Sequence, residues 1–235
     1  EVLLGEDRRR ASKPGQAVAS DILVSLVAPE HSYVSRGGVK LANALDSLDV
    51  EVQGRSAFDA GASTGGFTDC LLQRGAERVF AVDVGYGELA WSLRNDPRVE
   101  VRERTNVRAI GSGDLPWPVD LVVCDVSFIS VVKVLPALLE CVSPGGDVLA
   151  MVKPQFEVGK DLVGKGGVVR DPEVRRQALI DVARRAEELG SSVVGMASSG
   201  LPGPKGNIET FIHIVREARS SHDDRIVAMA LTVEP

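Results

Sequence analysis

The chain has 235 residues, of which 44% are hydrophobic and 26% charged, and a formal net charge of −6. That length holds one large domain with a small appendage, and the acidity excludes an indiscriminately basic nucleic-acid binder while leaving room for a local basic surface. No apolar run reaches the roughly 20 residues of a membrane span, and the opening E-V-L-L-G-E-D-R-R-R lacks a signal-peptide pattern, so a cytoplasmic protein with no membrane partner is expected.

Residues 1 to about 34 carry a basic cluster, Arg8-Arg9-Arg10 with Lys13, and then a strand-like apolar run from Ile22 to Val27. The arginines read equally as a solvated face or as a local basic surface. The chain begins without Met and in mid-pattern, which reads as a fragment of something longer. Next, Ser35-Arg36-Gly37-Gly38-Val39-Lys40-Leu41 opens a helix whose core face is Leu41, Ala44, Leu45 and Leu48, at i, i+3, i+4 and i+7. Lys40 lies off that stripe, four residues after Arg36.

From Ser56 the pattern specifies a fold class. Strand-like runs at 56–59, 78–83, 99–103, 120–125 and 146–152 alternate with helical stretches near 66–74, 88–94 and 131–141. Strand and helix repeated at this spacing predict a parallel sheet covered on both faces. Asp171-Pro172-Glu173 then opens a long helix with an N-cap acid and a first-turn proline, and Gly190 closes it. Two final strands, at 192–197 and 210–215, have only a loop between them, which predicts an antiparallel finish. The last 20 residues read as a marginal helix and tail.

The stretch Ser56 to Thr68, S-A-F-D-A-G-A-S-T-G-G-F-T, runs from a buried strand through a glycine turn into a helix. Such a turn lets backbone approach a ligand closely. Three chemistries compete for it. A dinucleotide site wants a middle glycine that Gly61-Ala62-Ser63-Thr64-Gly65-Gly66 lacks. A hydrolase elbow matches G-x-S-x-G but needs a partnered histidine, and His213 in F-I-H-I-V reads as structural, while His222 lies in the tail. A site for S-adenosyl-L-methionine needs only one close-approach turn and an acid for the ribose hydroxyls, and this reading is preferred.

Acids end three of the strands: Asp59, Asp83, which lies 22 positions after Gly61, and Asp125. Lys153 ends the strand after Asp125, so adjacent strand ends should set an acid and a lysine side by side where open α/β sheets bind ligands. The cysteines, Cys70, Cys124 and Cys141, are scattered through apolar runs and read as buried thiols, and no His/Cys spacing predicts a metal site.

The motifs D-A-G-A-S-T-G-G-F-T (59–68), V-D-V-G-Y-G (82–87), W-S-L-R-N-D-P-R-V (91–99), D-V-S-F-I-S (125–130), V-K-P-Q-F-E-V-G-K (152–160) and L-P-G-P-K-G-N-I-E (201–209) together resemble the TlyA family, bacterial ribosomal-RNA 2′-O-methyltransferases related to FtsJ-type enzymes and historically called hemolysin A. The resemblance covers about residues 30 to 215. It implies a Rossmann-like class I methyltransferase fold, a seven-stranded mostly parallel sheet with an antiparallel last strand, over residues 29–235. Residues 1–28 would then be the end of an N-terminal RNA-binding module. It implies S-adenosyl-L-methionine as cofactor, ribosomal RNA within ribosomal subunits as partner, 16S or 23S cytidine as target, and a catalytic tetrad at Lys40, Asp125, Lys153 and Glu209.

A ribose hydroxyl is a poor nucleophile, so a base within hydrogen-bonding reach assists its methylation; Lys153 is the candidate, with Lys40 and desolvation lowering its pKa and the two acids opposing that. Cofactor contacts are expected from Asp59, Gly61, Ser63, Thr64, Gly65 and Asp83, with Thr105 and Asn106 approaching the adenine. The loop from Gly159 to Arg170 reads either as a mobile lid over RNA phosphates or as a merely flexible connection. The historical label supplies a competing class, a membrane-active cytolysin, and a non-catalytic ribosome-binding protein is a third.

Overall fold

The computed structural model describes residues 2–11, 16–26, 32–217 and 223–234. It divides into two compact units, Glu1–Ser32 and Tyr33–Pro235. In the first, β1 (Val2–Leu4) pairs antiparallel with both β2 (Arg9–Arg10) and β3 (Val24–Leu26). The run expected from Ile22 thus becomes a three-residue strand, and Arg9 of the basic cluster pairs with Asp7 at 2.6 Å. Lys13, His31 and His222 lie outside the described residues.

The second unit is built on a seven-stranded sheet. Its strands are β4 (Ser56–Ala60), β5 (Arg78–Val82), β6 (Val99–Arg102), β7 (Val119–Cys124), β8 (Val142–Val152), β9 (Ser192–Ser198) and β10 (Thr210–Val215), in the spatial order β6-β5-β4-β7-β8-β10-β9. Pairings from β6 through β8 are parallel, and β10 runs antiparallel to both β8 and β9. β8 starts four residues before the predicted 146 because Val142 already pairs with Val119, ahead of a register irregularity.

Period-two alternation sends the two faces of each strand into two cores. Phe58, Val122, Ala150 and Ile212 point into one, and Ala57, Val123, Met151 and Phe211 into the other. The first is covered by α4 (Leu135–Cys141), α6 (Pro172–Glu188) and α7 (Asp223–Val233), through Leu138, Ala183 and Ile226 among others. The second is covered by α1 (Arg36–Ser47) and α2 (Gly66–Gln73), through Leu41, Leu45, Phe67 and Leu71. Each such side chain, removed from water, contributes about 1.5–3 kcal/mol before conformational entropy is set against it.

Local chemistry explains the boundaries. α6 begins at Pro172 because the Asp171 carboxylate accepts the Glu173 N–H at 2.9 Å. α3 (Trp91–Arg94) is shorter than the predicted 88–94 because the Ala90 N–H is committed to the Thr64 carbonyl at 3.2 Å, which keeps the preceding residues out of the helix. The C-terminal stretch is no loose tail. Ile226 and Ala230 are fully buried, and Glu234, 3% exposed, accepts two hydrogen bonds from the Arg175 guanidinium at 2.9 and 2.7 Å.

Candidate active site

Two cavities open at the carboxyl edge of the parallel strands. The larger, about 820 Å³, is lined by Lys40, Asp125, Lys153 and Glu209 together with Phe128 and Gln155. The smaller, about 450 Å³, is lined by Asp83, Glu88, Asn106, Val107, Val126 and Ile129. Both lie in the size range of small-molecule sites, and they meet at Gly61, Ser63, Asp125, Ser127 and Phe128.

The four polar groups of the larger cavity arrive from four elements. Asp125 follows β7 and Lys153 follows β8; these strands are parallel neighbours, so the acid and the lysine emerge side by side. Glu209 precedes β10. Because β10 is antiparallel, its first residue lies where the parallel strands end, with Thr210 opposite Val152. Lys40 comes from α1, whose N-terminal turn is pinned by Arg36 donating to the Pro202 carbonyl at 2.9 Å.

The groups close into two ion pairs. Lys40 Nζ donates to Glu209 Oε2, both residues being buried, and Lys153 Nζ pairs with Asp125 Oδ1. Lys153 aims its aligned hydrogen bond elsewhere, at Ser127 Oγ, 2.8 Å away. α1 begins at Arg36, so Arg36 and Lys40 keep their i, i+4 spacing and line the same cavity, while they bond to Pro202 and Glu209 respectively.

The glycine turn is held by its neighbours. The N–H groups of Gly61 and Ala62 both donate to the Val82 carbonyl. Gly61 has φ +93°, and a Cβ there would stand 2.7 Å from the Asp125 carbonyl oxygen, so only glycine permits this approach between strand ends. Ser63, at φ +47°, donates its N–H to Asp83 Oδ2 at 2.8 Å and its hydroxyl to Glu88 Oε2 at 3.2 Å. Among the described residues no histidine joins Ser63. His213 lies in mid-strand with Nε2 2.7 Å from Asp147 Oδ1, so the nucleophile-elbow reading fails.

The other residues expected at a cofactor divide. Gly61, Ser63, Thr64, Asp83 and Asn106 line one cavity or the other. Asp83 also accepts from the Gly85 N–H at 2.7 Å, so both of its oxygens already brace the turn. Asn106 caps the following turn by accepting from the Arg108 N–H. Asp59, Gly65 and Thr105 line neither cavity.

Asp59 lies one residue inside β4 rather than at its end, fully buried. Its Oδ2 accepts from Thr68 Oγ1 at 2.7 Å and its Oδ1 has no partner. Burial raises its pKa to about 7, the Thr68 bond opposing and the Asp125 charge adding to the rise. Gly65, at φ +96°, is required by packing, since a Cβ would meet Leu93 Cδ1 at 2.3 Å. Thr105 Oγ1 donates to the Glu103 carbonyl.

Sequence reasoning missed Ser127, Phe128, Gln155, Phe156 and Glu88. Phe128 is 92% exposed, holds φ +65°, and places its ring 5.4 Å from that of Phe156. A non-glycine residue there costs of order 1–3 kcal/mol and tends to mark a functional position. A phenylalanine two residues beyond a strand-end acid's neighbour, in D-V-S-F, was the available signal. The 159–170 loop is latched rather than free: Asn207 donates Nδ2 to the Gly167 carbonyl at 2.8 Å and accepts the Val169 N–H at 3.0 Å.

Charge separates the two cavities. The smaller is lined by three acids, Asp83, Glu88 and Asp125, and by no lysine or arginine. The larger sets Arg36, Lys40, Lys153 and Lys205 against Asp125 and Glu209. An acidic slot disfavours a pyrophosphate and suits a ligand with a cationic centre and free hydroxyls, whereas the cationic chamber suits a polyanion. Among the described residues no three His, Cys, Asp or Glu side chains gather as a metal site, and no helix is long and apolar enough to cross a membrane. The three cysteines are buried and reduced, and burial pushes Cys70 up to about 11 and Cys124 and Cys141 up to about 12.

Comparison with known proteins agrees with this geometry. A Mycobacterium tuberculosis 16S/23S rRNA (cytidine-2′-O)-methyltransferase TlyA is 55% identical over 203 residues, covering 86% of this chain and 76% of its own. A Campylobacter jejuni 23S rRNA (cytidine-2′-O)-methyltransferase TlyA is 34% identical, over 78% of this chain and 71% of its own. The solved structure of a hemolysin-named protein of Streptococcus thermophilus superposes with a TM-score of 0.83 at 38% identity, over 98% of this chain and 85% of that one. Residues 33–216 match the FtsJ-like methyltransferase family. With its strand order, its glycine turn and the paired lysines and acids at the sheet edge, the chain belongs to the FtsJ-like methyltransferases, within the TlyA group.

Proposed function

We propose that the protein transfers a methyl group from S-adenosyl-L-methionine to the ribose 2′-hydroxyl of a cytidine in ribosomal RNA, in the cytoplasm, acting on a ribosomal subunit. One observation carries the reading: an acidic slot and a cationic chamber open into each other at Asp125, where Lys153 pairs with it. Relatives at 55% and 34% identity carry the name of this activity.

The residues of the slot fit the cofactor. Asp83 and Glu88 offer carboxylate oxygens to ribose hydroxyls, Val107, Val126 and Ile129 offer apolar walls to an adenine, and Gly61 leaves room for close approach. When bound, S-adenosyl-L-methionine supplies a methyl group already activated by its sulfonium. The chain has to place and deprotonate the acceptor. Lys153, fixed by Asp125 and Ser127, stands where the 2′-hydroxyl must enter; once its own ammonium proton has passed to solvent, the neutral amine takes the hydroxyl proton as the oxygen–methyl bond forms. The Lys40–Glu209 pair lines the same chamber. Each carboxylate offsets the repulsion that two lysines would feel in one chamber. Phe128, its ring tilted 50° to that of Phe156, offers the target base a flat apolar face.

The test is incubation of unmodified ribosomal subunits with labelled S-adenosyl-L-methionine, followed by nucleoside analysis. The expected product is 2′-O-methylcytidine, lost with Lys153→Ala, a variant that should still bind the cofactor. Methyl on a base, or undiminished transfer by Lys153→Ala, would overturn the reading. Residues 1–28 belong to the proposal as the end of an RNA-binding module.

A further inference from the structure

The segment 125–131 brings Asp125, Ser127 and Phe128 to the chamber with little main-chain support of its own. At its start the Asp125 N–H donates to the Ala60 carbonyl at 3.0 Å. Among the described residues, positions 126–129 then join no backbone–backbone hydrogen bond, and Phe128, exposed to solvent, holds φ +65°. A left-handed phenylalanine persists only where its surroundings fix it. The fixing comes from the far end. Glu157, last residue of the short helix α5 (Pro154–Glu157), accepts from the Ser130 hydroxyl at 2.6 Å through Oε2 and from the Val131 N–H at 2.8 Å through Oε1. Ser130 Oγ also accepts the Val132 N–H at 3.1 Å, so its single proton is committed to Glu157.

We propose that Glu157 is a positioning residue for the methyl transfer: by tying residues 130 and 131 to α5 it holds Phe128 where the target base rests. The proposal rests on the 2′-O-methylation reading above. Glu157 lines neither cavity, so it acts through the segment it braces and not by touching a ligand. Its carboxylate is half-buried, and burial pushes its pKa up against the two hydrogen bonds. Such an anion, facing no lysine or arginine among the described residues, adds little to stability, because desolvating it offsets the bonds it makes. It supplies geometry instead, two acceptor oxygens on one planar group that join the loops leaving β7 and β8. α5 also carries Phe156, whose ring lies 5.4 Å from that of Phe128, so the brace fixes one aromatic wall against the other. The remaining tie between these loops, Lys153 to Asp125 and Ser127, lies on the catalytic side of Phe128. Losing the Glu157 brace should therefore loosen the aromatic wall and leave the proton acceptor in place.

The experiment uses the full chain with unmodified ribosomal subunits and labelled S-adenosyl-L-methionine, measuring kcat, KM for the RNA and, by calorimetry, cofactor affinity. Glu157→Ala is expected to raise KM by roughly 10-fold, and by no more than loss of the Phe128 ring does, with kcat and cofactor affinity unchanged. The double variant Glu157→Ala, Phe128→Ala should show the KM of Phe128→Ala alone, since the brace has nothing left to position. Glu157→Gln can accept the Val131 N–H through Oε1 and donate to Ser130 Oγ through Nε2, so it should stay within a few fold of wild type. Ser130→Ala, which removes one of the two ties, should fall between Glu157→Gln and Glu157→Ala, and it replaces Glu157→Ala in the double variant if that protein does not fold. Effects that multiply in the double variant, a fall in kcat or cofactor affinity, an unmoved KM in Glu157→Ala, or a Glu157→Gln protein as impaired as Glu157→Ala each overturn the assignment while 2′-O-methylation stands. Wild-type protein that leaves the RNA without 2′-O-methyl groups overturns the functional reading, and the assignment falls with it.

Discussion

Replacing Asp59 by Asn should abolish a specific part of the pH dependence of stability. The Asp59 carboxyl is wholly inaccessible, has one oxygen bonded to Thr68 and the other to nothing, and is pushed up by burial to about 7 from the ordinary 3.8 of an aspartate. Between those values the native protein holds a proton that the unfolded chain has released. Stability contributed by that proton is therefore complete below the unfolded pKa and lost as pH rises through the folded one. A shift of about 3 pH units at about 1.4 kcal/mol each makes the loss about 4 kcal/mol. Asparagine keeps a carbonyl for Thr68 and cannot ionise. Its amide protons are unsatisfied, which costs about 1–3 kcal/mol at every pH, so the slope is the readout and the offset is not. Urea unfolding of wild type and Asp59→Asn, from about pH 4 to about pH 8, should show the variant gaining on wild type by about 1.4 kcal/mol per pH unit until about pH 7. Parallel curves would refute the reasoning, and with it the claim that this carboxyl is held protonated inside the sheet.

Two further outcomes follow from the geometry. Phe128→Ala should raise KM for ribosomal RNA by roughly 10- to 100-fold, the loss of one stacked base, while cofactor affinity measured by calorimetry stays unchanged. Glu234→Ala should destabilise by about 2 kcal/mol in urea unfolding, because it leaves the half-buried Arg175 guanidinium with only the Val169 and Arg170 carbonyls, and should expose α7 to limited proteolysis. An intact α7 and an unmoved midpoint would show that the helix is held by Ile226 and Ala230 alone.

Much of the fold was legible because its signals are local. The strand-turn-helix of Ser56 to Thr68, the Asp171-Pro172 start of α6 and the alternating apolar runs each state their structure within a few residues. α7 was underestimated because its burial depends on Arg175 and on the core beneath it, more than 40 residues away in sequence. Asp59, Gly65 and Thr105 were drawn into the cofactor expectation by their neighbours in the motif, yet the side chains of Asp59 and Thr105 turn to Thr68 and the Glu103 carbonyl, and Leu93 packs where a Cβ of residue 65 would stand. A motif places a backbone near a ligand; which side chains face it depends on packing.

By itself the sequence determined that a parallel sheet would present Asp83, Asp125 and Lys153 at one edge, since strand direction and the residue after each strand are enough for that. Only the tertiary structure decided that Lys40 and Lys153 stand apart as two ion pairs. That outcome needs β10 inserted antiparallel between β8 and β9, so that Glu209 reaches the edge from 84 positions beyond Asp125. The segregation of charge into an acidic slot and a cationic chamber is tertiary for the same reason. It is a property of which strand ends become neighbours, and no local pattern encodes strand order.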